Sequence, residues 1–404
     1  MKLLQINCVY NNGSTGKLVY DIHIGMLNTG ENSIVVYGRG KKTKDKNVIK
    51  SCLEPYAKFN NLLSRFTGIM YGGCFFSTTA LINIIKKQKP NVVHLHCING
   101  YFVNIYRLIE FLKKSGIKTV LTLHAEFMYT ANCGHSFECE GWKTGCGSCP
   151  RLKKETLSLF LDNTALSFKK MKKAFEGFDN LTVVSVSPWL KERAEVSPIL
   201  YGKKHITVLN GIDTSTFRLY SNASLKRDLG LKDKKIVFHA TAFFSTDKEN
   251  IKGGYYVVSM AKRFLKENSD VVFLVAGKHE KLYDMPSNII FLDNVTDQNK
   301  LAEYYSFADV TLLTSKKETF SMIVAESLCS GTPVVGFEAG APERITIKEF
   351  SSFVPYGDED ALFEEIKFWL NKDNIEKTTI SDVAKSKYSK EIMIEHYKKI
   401  YNEL

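Results

Sequence analysis

Short apolar runs alternate with amphipathic stretches along most of the chain. Residues 2–9, 33–36, 92–95, 119–123 and 181–186 read as buried strands, because apolar, β-branched runs of roughly four to eight residues are too short for core helices. Between them, residues 17–26, 80–87 and 105–114 carry apolar side chains at helical spacing. The alternation begins again after Asn210-Gly211-Ile212-Asp213, with strands at 235–239, 271–276, 289–291, 310–313 and 333–336 and helices at 255–267, 298–306 and 321–329. Strands without polar alternation, interleaved with helices, imply parallel sheets covered on both faces. The chain is therefore read as α/β with two doubly wound sheets. Ligands of such sheets bind outside the carboxyl ends of the strands, so two facing sheets would make a cleft between them.

Length and composition agree with this division. At 404 residues the chain exceeds one ordinary core. With 44% hydrophobic and 24% charged residues it is globular rather than disordered. No run of about 18 apolar residues predicts a transmembrane helix, and the opening MKLLQINCVYNNGSTGK has too short an apolar run for a signal peptide. A cytoplasmic protein is expected, and nine scattered cysteines fit a reducing compartment better than a disulfide framework.

Charge separates the two halves. Residues 1–215 carry 29 Lys/Arg against 15 Asp/Glu, a net of +14, whereas residues 216–404 carry 26 against 28, a net of −2. The basic residues come in runs, such as Lys41, Lys42, Lys44 and Lys46, or Lys169, Lys170, Lys172 and Lys173. Solvated helix faces account for many such runs, but their restriction to one half points to a large anionic partner, either a membrane surface or nucleic acid. The runs lack interleaved aromatics or a recognisable nucleic-acid module, so no nucleic acid is expected.

The densest chemistry lies in ETFSMIVAESLCSGTPVVGFEAGAPE, residues 318–343. A helix starting near Ser321 would present unpaired N–H groups beside Glu318, a natural anion site. Glu326, one to two turns further on, could accept both hydrogen bonds of a vicinal diol such as a ribose. Sugar, diphosphate and ribose together describe a nucleotide sugar. Favourable dipole placement of Glu318 and a polar helix face at Glu326 explain the two carboxylates equally well when taken alone.

In order and spacing, GSTG at 13–16, LTLHAEF at 121–127, SPWLKER at 187–193, VLNGIDTSTF at 208–217, KGG at 252–254, Glu318 with Glu326, and PVVGFEAGAPE at 333–343 resemble the retaining nucleotide-sugar glycosyltransferases of family 4. The resemblance covers nearly the whole chain. It implies the GT-B architecture: an N-terminal acceptor-side Rossmann-like domain over residues 1–215, a C-terminal donor-binding one over 216–385, and a C-terminal helix, 386–404, packing back on the first. It further implies that Glu326 holds the donor ribose and Glu318 the donor sugar. Thr319, Phe320 and Ser321 would lie against the diphosphate or sugar, and Lys252 would neutralise the departing diphosphate, so that catalysis requires no cofactor. Gly13 and Gly16 would let the first loop approach the donor closely, and His124 would lie near the reacting sugar. Two departures stand out. HATAFFSTDKENIKGG has no arginine before Lys252, leaving Lys248 as a second phosphate charge, and Ala125 separates His124 from Glu126.

Cys133, Cys139, Cys146 and Cys149, spaced C-x5-C-x6-C-x2-C with His135 nearby, suit tetrahedral structural zinc. Reduced free thiols are the alternative, and disulfides fit the compartment poorly. The expected activity is transfer of a sugar from a nucleoside-diphosphate donor to a saccharide, lipid-diphosphate-linked, in capsule or exopolysaccharide biosynthesis, by an enzyme peripheral to the anionic inner membrane leaflet. A nucleotide-sugar epimerase on the same frame and a zinc-containing nucleic-acid-binding protein are the competing readings.

Overall fold

A computed structural model describes residues 1–221, 223–267, 270–280, 283–292, 294–372 and 376–404. The chain forms two compact units, Met1–Leu209 with Met393–Leu404, and Asn210–Ile392. The division falls at Leu209/Asn210 rather than at residue 215, because Ile212 already pairs with the far end of the second unit. Its N–H donates to the Tyr388 carbonyl (2.6 Å), its own carbonyl accepts from Lys390 N–H (2.9 Å), and Lys390 Nζ lies 2.9 Å from Asp213 Oδ2. The outgoing and returning segments are thereby tied within one unit, and only the chain from Met393 onward joins the first.

The first unit holds a parallel sheet of β1 (Lys2–Asn7), β2 (Asn32–Tyr37), β3 (Val48–Lys50), β4 (Val92–Leu95), β5 (Lys118–Leu123), β6 (Leu181–Ser185) and β7 (Lys204–Thr207), in the order β3-β2-β1-β4-β5-β6-β7. The second holds β8 (Lys235–Phe244), β9 (Val271–His279), β10 (Ile289–Phe291), β11 (Val310–Leu313), β12 (Val334–Phe337) and β13 (Ser351–Val354), in the order β10-β9-β8-β11-β12-β13, also parallel. Both orders reverse direction beside their first strand, between β1 and β4 and between β8 and β11. Loops leaving the carboxyl ends of those strands frame the crevice where doubly wound sheets bind ligands.

Local sequence sets the helix boundaries. Asn104 caps the helix Ile105–Ser115 by accepting the Arg107 N–H, and Gly116, at φ 67°, ends it. Ser187 caps Pro188–Glu195 through the Leu190 N–H, and Asp297 and Asp358 do the same for Gln298–Phe307 and Glu359–Asn371. Each cap satisfies a donor that the first helical turn leaves unpaired. The returning helix Lys390–Glu403 completes the first core: Met393, Tyr397, Ile400 and Tyr401 pack with Leu3, Leu18, Ile22, Val92 and Val120. Among the described residues no helix is long and apolar enough to cross a membrane.

Met393 is 2% exposed in this core. Truncation to alanine removes its buried methylenes and leaves a cavity, so Met393→Ala is expected to cost about 3 kcal/mol in urea unfolding. A cost under about 0.5 kcal/mol, the range of exposed sites, would show that the tail does not contribute to the core.

Candidate active site

In the second unit, the loops after β8 and β11 bring Lys252 and Glu318 together. Lys252 Nζ lies 2.7 Å from Glu318 Oε1, both side chains partly buried. The lysine is fixed through its backbone. Its N–H donates to Asn250 Oδ1 (2.9 Å), and its carbonyl accepts from Thr314 Oγ1 (3.0 Å), just past the end of β11. Gly253 follows at φ 66°, where a Cβ would lie 2.2 Å from the Thr314 carbonyl oxygen, so only glycine lets the two loops come this close. Glu318 is held against the loop after β12: its N–H donates to the Ala339 carbonyl (2.9 Å), and its carbonyl accepts from Ala341 N–H (3.2 Å). Glu343 folds back to accept the N–H groups of Ala339 and Gly340, which makes it a support of that loop.

Thr319, Phe320 and Ser321 are buried between this pair and the helix Met322–Cys329. The helix begins one residue later than the sequence pattern places it, because Ser321 adopts φ 79°, a left-handed conformation that costs a non-glycine residue on the order of 1 kcal/mol or more. Its Oγ is buried and has no hydrogen-bond partner in the described structure. Strain and an unsatisfied hydroxyl at a helix N-terminus fit a place where N–H and O–H donors await an anion.

Glu326, in the same helix, lines a cavity of about 260 Å³ with Ala240, Gly277, Asn294, Leu301 and Tyr305. The Tyr305 hydroxyl donates to Glu326 Oε2 (3.3 Å), and burial followed by that carboxylate raises the Tyr305 pKa, so the phenol remains a donor. Neither Tyr305 nor His239, which precedes Ala240 on β8, stood out in the sequence, since both lie within apolar patterns. His239 Nδ1 is 3.0 Å from the Leu312 carbonyl, and burial holds its pKa down to about 4. Lys248 places its ammonium 5.1 Å over the Tyr255 ring.

Gly13, Gly16 and His124 belong to the first unit. Gly13 opens the helix Gly13–Asn28 at φ 63°, with open space where a Cβ would stand, so its conformation rather than packing requires glycine. A Cβ on Gly16 would lie 3.2 Å from Val9 and 3.3 Å from the Asn11 nitrogen. His124 follows β5 and ends a row of three imidazoles. Its Nε2 is 3.2 Å from His96 Nδ1, His96 Nε2 is 3.2 Å from Gln5 Oε1, and the His94 and His96 rings lie 3.8 Å apart. His94 bonds the Tyr401 hydroxyl (2.6 Å) and Thr122 Oγ1 (2.7 Å), and Thr122 in turn bonds Tyr397. The returning helix therefore supplies two phenols to the histidine row. VVHLHC reads as an apolar strand and its exit, with His94 on β4 and His96 just past its end, and nothing in its spacing announced them.

Glu126 has a structural task. It is fully buried, with Arg193 Nε 2.7 Å from Oε1, and it accepts from the Tyr129 hydroxyl and from the N–H and hydroxyl of Ser136. The Arg193 guanidinium lies over Trp142 and Trp189, at 4.8 and 5.0 Å. This cluster pins the cysteine-rich segment to the end of β5 and to the helix Pro188–Glu195. Cys133, Cys139, Cys146 and Cys149 do gather, lining one cavity of about 30 Å³, and all are free thiols. Among the described residues, no three His, Cys, Asp or Glu side chains form a group arranged to hold a metal ion. Burial raises the pKa values of the Cys133, Cys146 and Cys149 thiols, to about 11 for Cys146, and the Glu126–Arg193 cluster helps order the segment.

A larger recess of about 490 Å³ in the first unit, lined by Lys172, Phe175, Pro198, Tyr201 and Lys203, lies at the starts of β6 and β7, the wrong end of a doubly wound sheet for its ligand.

Burial holds the His124 pKa down to about 4 and those of His94 and His96 well below the usual imidazole range. In the unfolded chain these rings titrate near 6.5, so as pH falls the unfolded state takes up protons first. Their contribution to stability is full above about pH 6.5 and is lost progressively toward pH 4. Circular dichroism melts should show the transition temperature falling across that window. A flat profile would mean that the three rings are not held neutral.

Comparison with known proteins agrees with this geometry. The model of the family described as Glycosyl transferases group 1 matches residues 235–372, the span containing Lys252, Glu318, Glu326 and all six strands of the second sheet. The putative colanic acid biosynthesis glycosyl transferase WcaC of Escherichia coli K12 is 24% identical, with 100% of both chains covered. Among solved structures, sucrose-phosphate synthase from Thermosynechococcus elongatus superposes with a TM-score of 0.68 at 14% identity, covering 100% of this chain and 99% of the other. Anabaena HepE in complex with UDP-glucose gives 0.65 at 12% identity, with 100% of each covered. Residues 235–372 thus resemble group 1 glycosyl transferases, and the chain is homologous to glycosyltransferases and has their GT-B fold.

Proposed function

We propose that the protein transfers a sugar from a nucleoside-diphosphate donor to a saccharide carried on a lipid diphosphate, with retention of anomeric configuration and without a metal ion in the chemical step. The observation that carries this reading is the 2.7 Å contact of Lys252 with Glu318, made by the loops after the adjacent strands β8 and β11. Glu326 accepts the ribose hydroxyls and the cavity beside it takes the base. Because HepE was captured with UDP-glucose, uracil is the first base to test. On donor binding, Lys252 exchanges its carboxylate partner for the diphosphate, and Glu318 is released to accept hydroxyls of the sugar. Ser321 Oγ and the N–H groups of the following helix add donors to the leaving group.

In the chemical step the bond from the anomeric carbon to the diphosphate oxygen breaks, and an acceptor hydroxyl oxygen bonds to that carbon from the same face. The hydroxyl proton passes to the departing diphosphate. Lys252 stabilises charge that develops as the nucleotide leaves, and interactions of this kind contribute to catalysis chiefly in the transition state. The basic first unit supports a lipid-linked acceptor at an anionic surface, and the relationship to WcaC supports a place in polysaccharide assembly. Trapping a covalent glycosyl-enzyme would overturn same-face attack.

Melting the protein with UDP-, GDP-, ADP- and dTDP-sugars should give a shift with one nucleotide family, since ligand bound to the folded state raises apparent stability. Glu326→Ala removes a charged acceptor of two hydrogen bonds and should weaken that donor roughly 10- to 100-fold. The absence of a shift with any donor would remove the reading.

Lys252→Ala should lower kcat by about 10²- to 10³-fold, the effect of losing one preorganised stabilising group, and EDTA should leave turnover of the unaltered enzyme unchanged. Turnover that collapses with EDTA and returns with a divalent cation would overturn the metal-independent step.

A further inference from the structure

The helix Glu54–Thr67 is inverted. It buries Ala57, Asn60 and Ser64 and exposes Phe59, Leu62, Leu63 and Phe66, which lie three and four residues apart and so form one stripe. Its inward face is fixed by polar contacts. Asn60 Oδ1 accepts the Cys74 N–H (2.7 Å), and Asn60 Nδ2 donates to the Tyr56 carbonyl (2.8 Å). The second bond is internal to the helix, but rotation that buried the stripe would break the first, which ties the helix to Cys74.

Two further segments extend the stripe. The Leu159 N–H donates to the Arg65 carbonyl (2.8 Å), Asn163 Nδ2 donates to the Thr67 carbonyl (2.7 Å), and the Phe66 and Phe160 rings lie 6.3 Å apart. On the other side Phe76 packs beside Tyr56, with centroids 6.0 Å apart. Phe160 is 74% and Phe76 81% exposed, well beyond the scattered apolar side chains of an ordinary surface.

Charge identifies the occupant. Lys58, Lys153 and Lys154 are exposed in these same segments. Of the acidic residues there, Glu54 is paired with Arg39 and Lys50 and Glu155 with Arg151, while the Asp162 carboxylate accepts the N–H groups of Cys149 and Thr164 and the Thr164 hydroxyl. Large apolar and aromatic side chains on one helix face, bordered by unneutralised lysines, match the interface of an anionic bilayer, where the rings enter the acyl boundary and the ammonium groups stay at headgroup level.

We propose that the stripe Phe59, Leu62, Leu63 and Phe66, together with Phe76 and Phe160, is the surface by which the first unit docks on anionic membrane. It rests on the peripheral-membrane part of the reading above, not on the donor chemistry. The test is cosedimentation at low salt with phosphatidylcholine vesicles, with and without phosphatidylglycerol. The unaltered protein should pellet with the anionic vesicles, and the double variant Phe59→Ser/Phe66→Ser should bind at least about tenfold more weakly. Both sites are exposed, so the variant should keep its melting temperature and its shift with donor; that shift reports the active site separately. Lys58→Glu/Lys154→Glu should weaken binding to anionic vesicles only. Equal binding by the serine variant would overturn the assignment. So would an unaltered protein that ignores vesicles but dissociates from dimer to monomer on the serine substitutions, because a second copy would then cover the stripe.

Discussion

Sixty-six positions separate Lys252 from Glu318, and they meet because β8 and β11 are hydrogen-bonded neighbours in a sheet whose order reverses at that point. Each residue leaves the carboxyl end of its strand in a loop, and Gly253 allows those loops to touch backbone to backbone at Thr314. The chemistry assigned to the second unit depends on this contact. A lysine paired with a carboxylate is held near the place where a diphosphate would compete for it, and the strained Ser321 lies at the start of the helix carrying Glu326. Orientation is settled before the ligand arrives, which is where most of the advantage of a binding site lies.

The first unit is built on the same principle with different side chains. Its carboxyl ends carry the glycine loop after β1 and the histidine row after β4 and β5. Neutral imidazoles in hydrogen-bonded series can relay or orient a proton without a fixed charge. The tail closes this arrangement, since Tyr397 and Tyr401 reach the row only once the chain has returned from the second unit. Beside it, the Glu126–Arg193 pair organises the cysteine-rich segment. Losing either partner would leave the other charge buried or half-buried, a cost of several kcal/mol in comparable pairs, so this pair specifies the local structure.

The apolar stripe on Glu54–Thr67 works against the stability of the isolated chain, because large side chains remain in water while small and polar ones occupy the interior. Such an arrangement persists when the exposed face serves contact with something else. The charge asymmetry between the halves of the chain follows the same division, with the basic unit carrying the stripe.

The fold class was legible because parallel strands buried on both faces leave apolar runs that survive in one dimension: 92–95, 289–291 and 310–313 coincide with β4, β10 and β11. Residue type and order likewise marked Lys252, Glu318 and Glu326. The contact of Lys252 with Glu318 was not legible, since it depends on which strands pair. The same holds for His94, His96, Tyr305 and His239, whose roles come from burial and from partners distant in the chain. The cysteines were conspicuous in sequence, yet their spacing could not say whether four thiols that share a cavity would point at one centre. Periodicity records which residues can share a face of one element; which face turns inward, and what meets it there, is decided only when the elements pack.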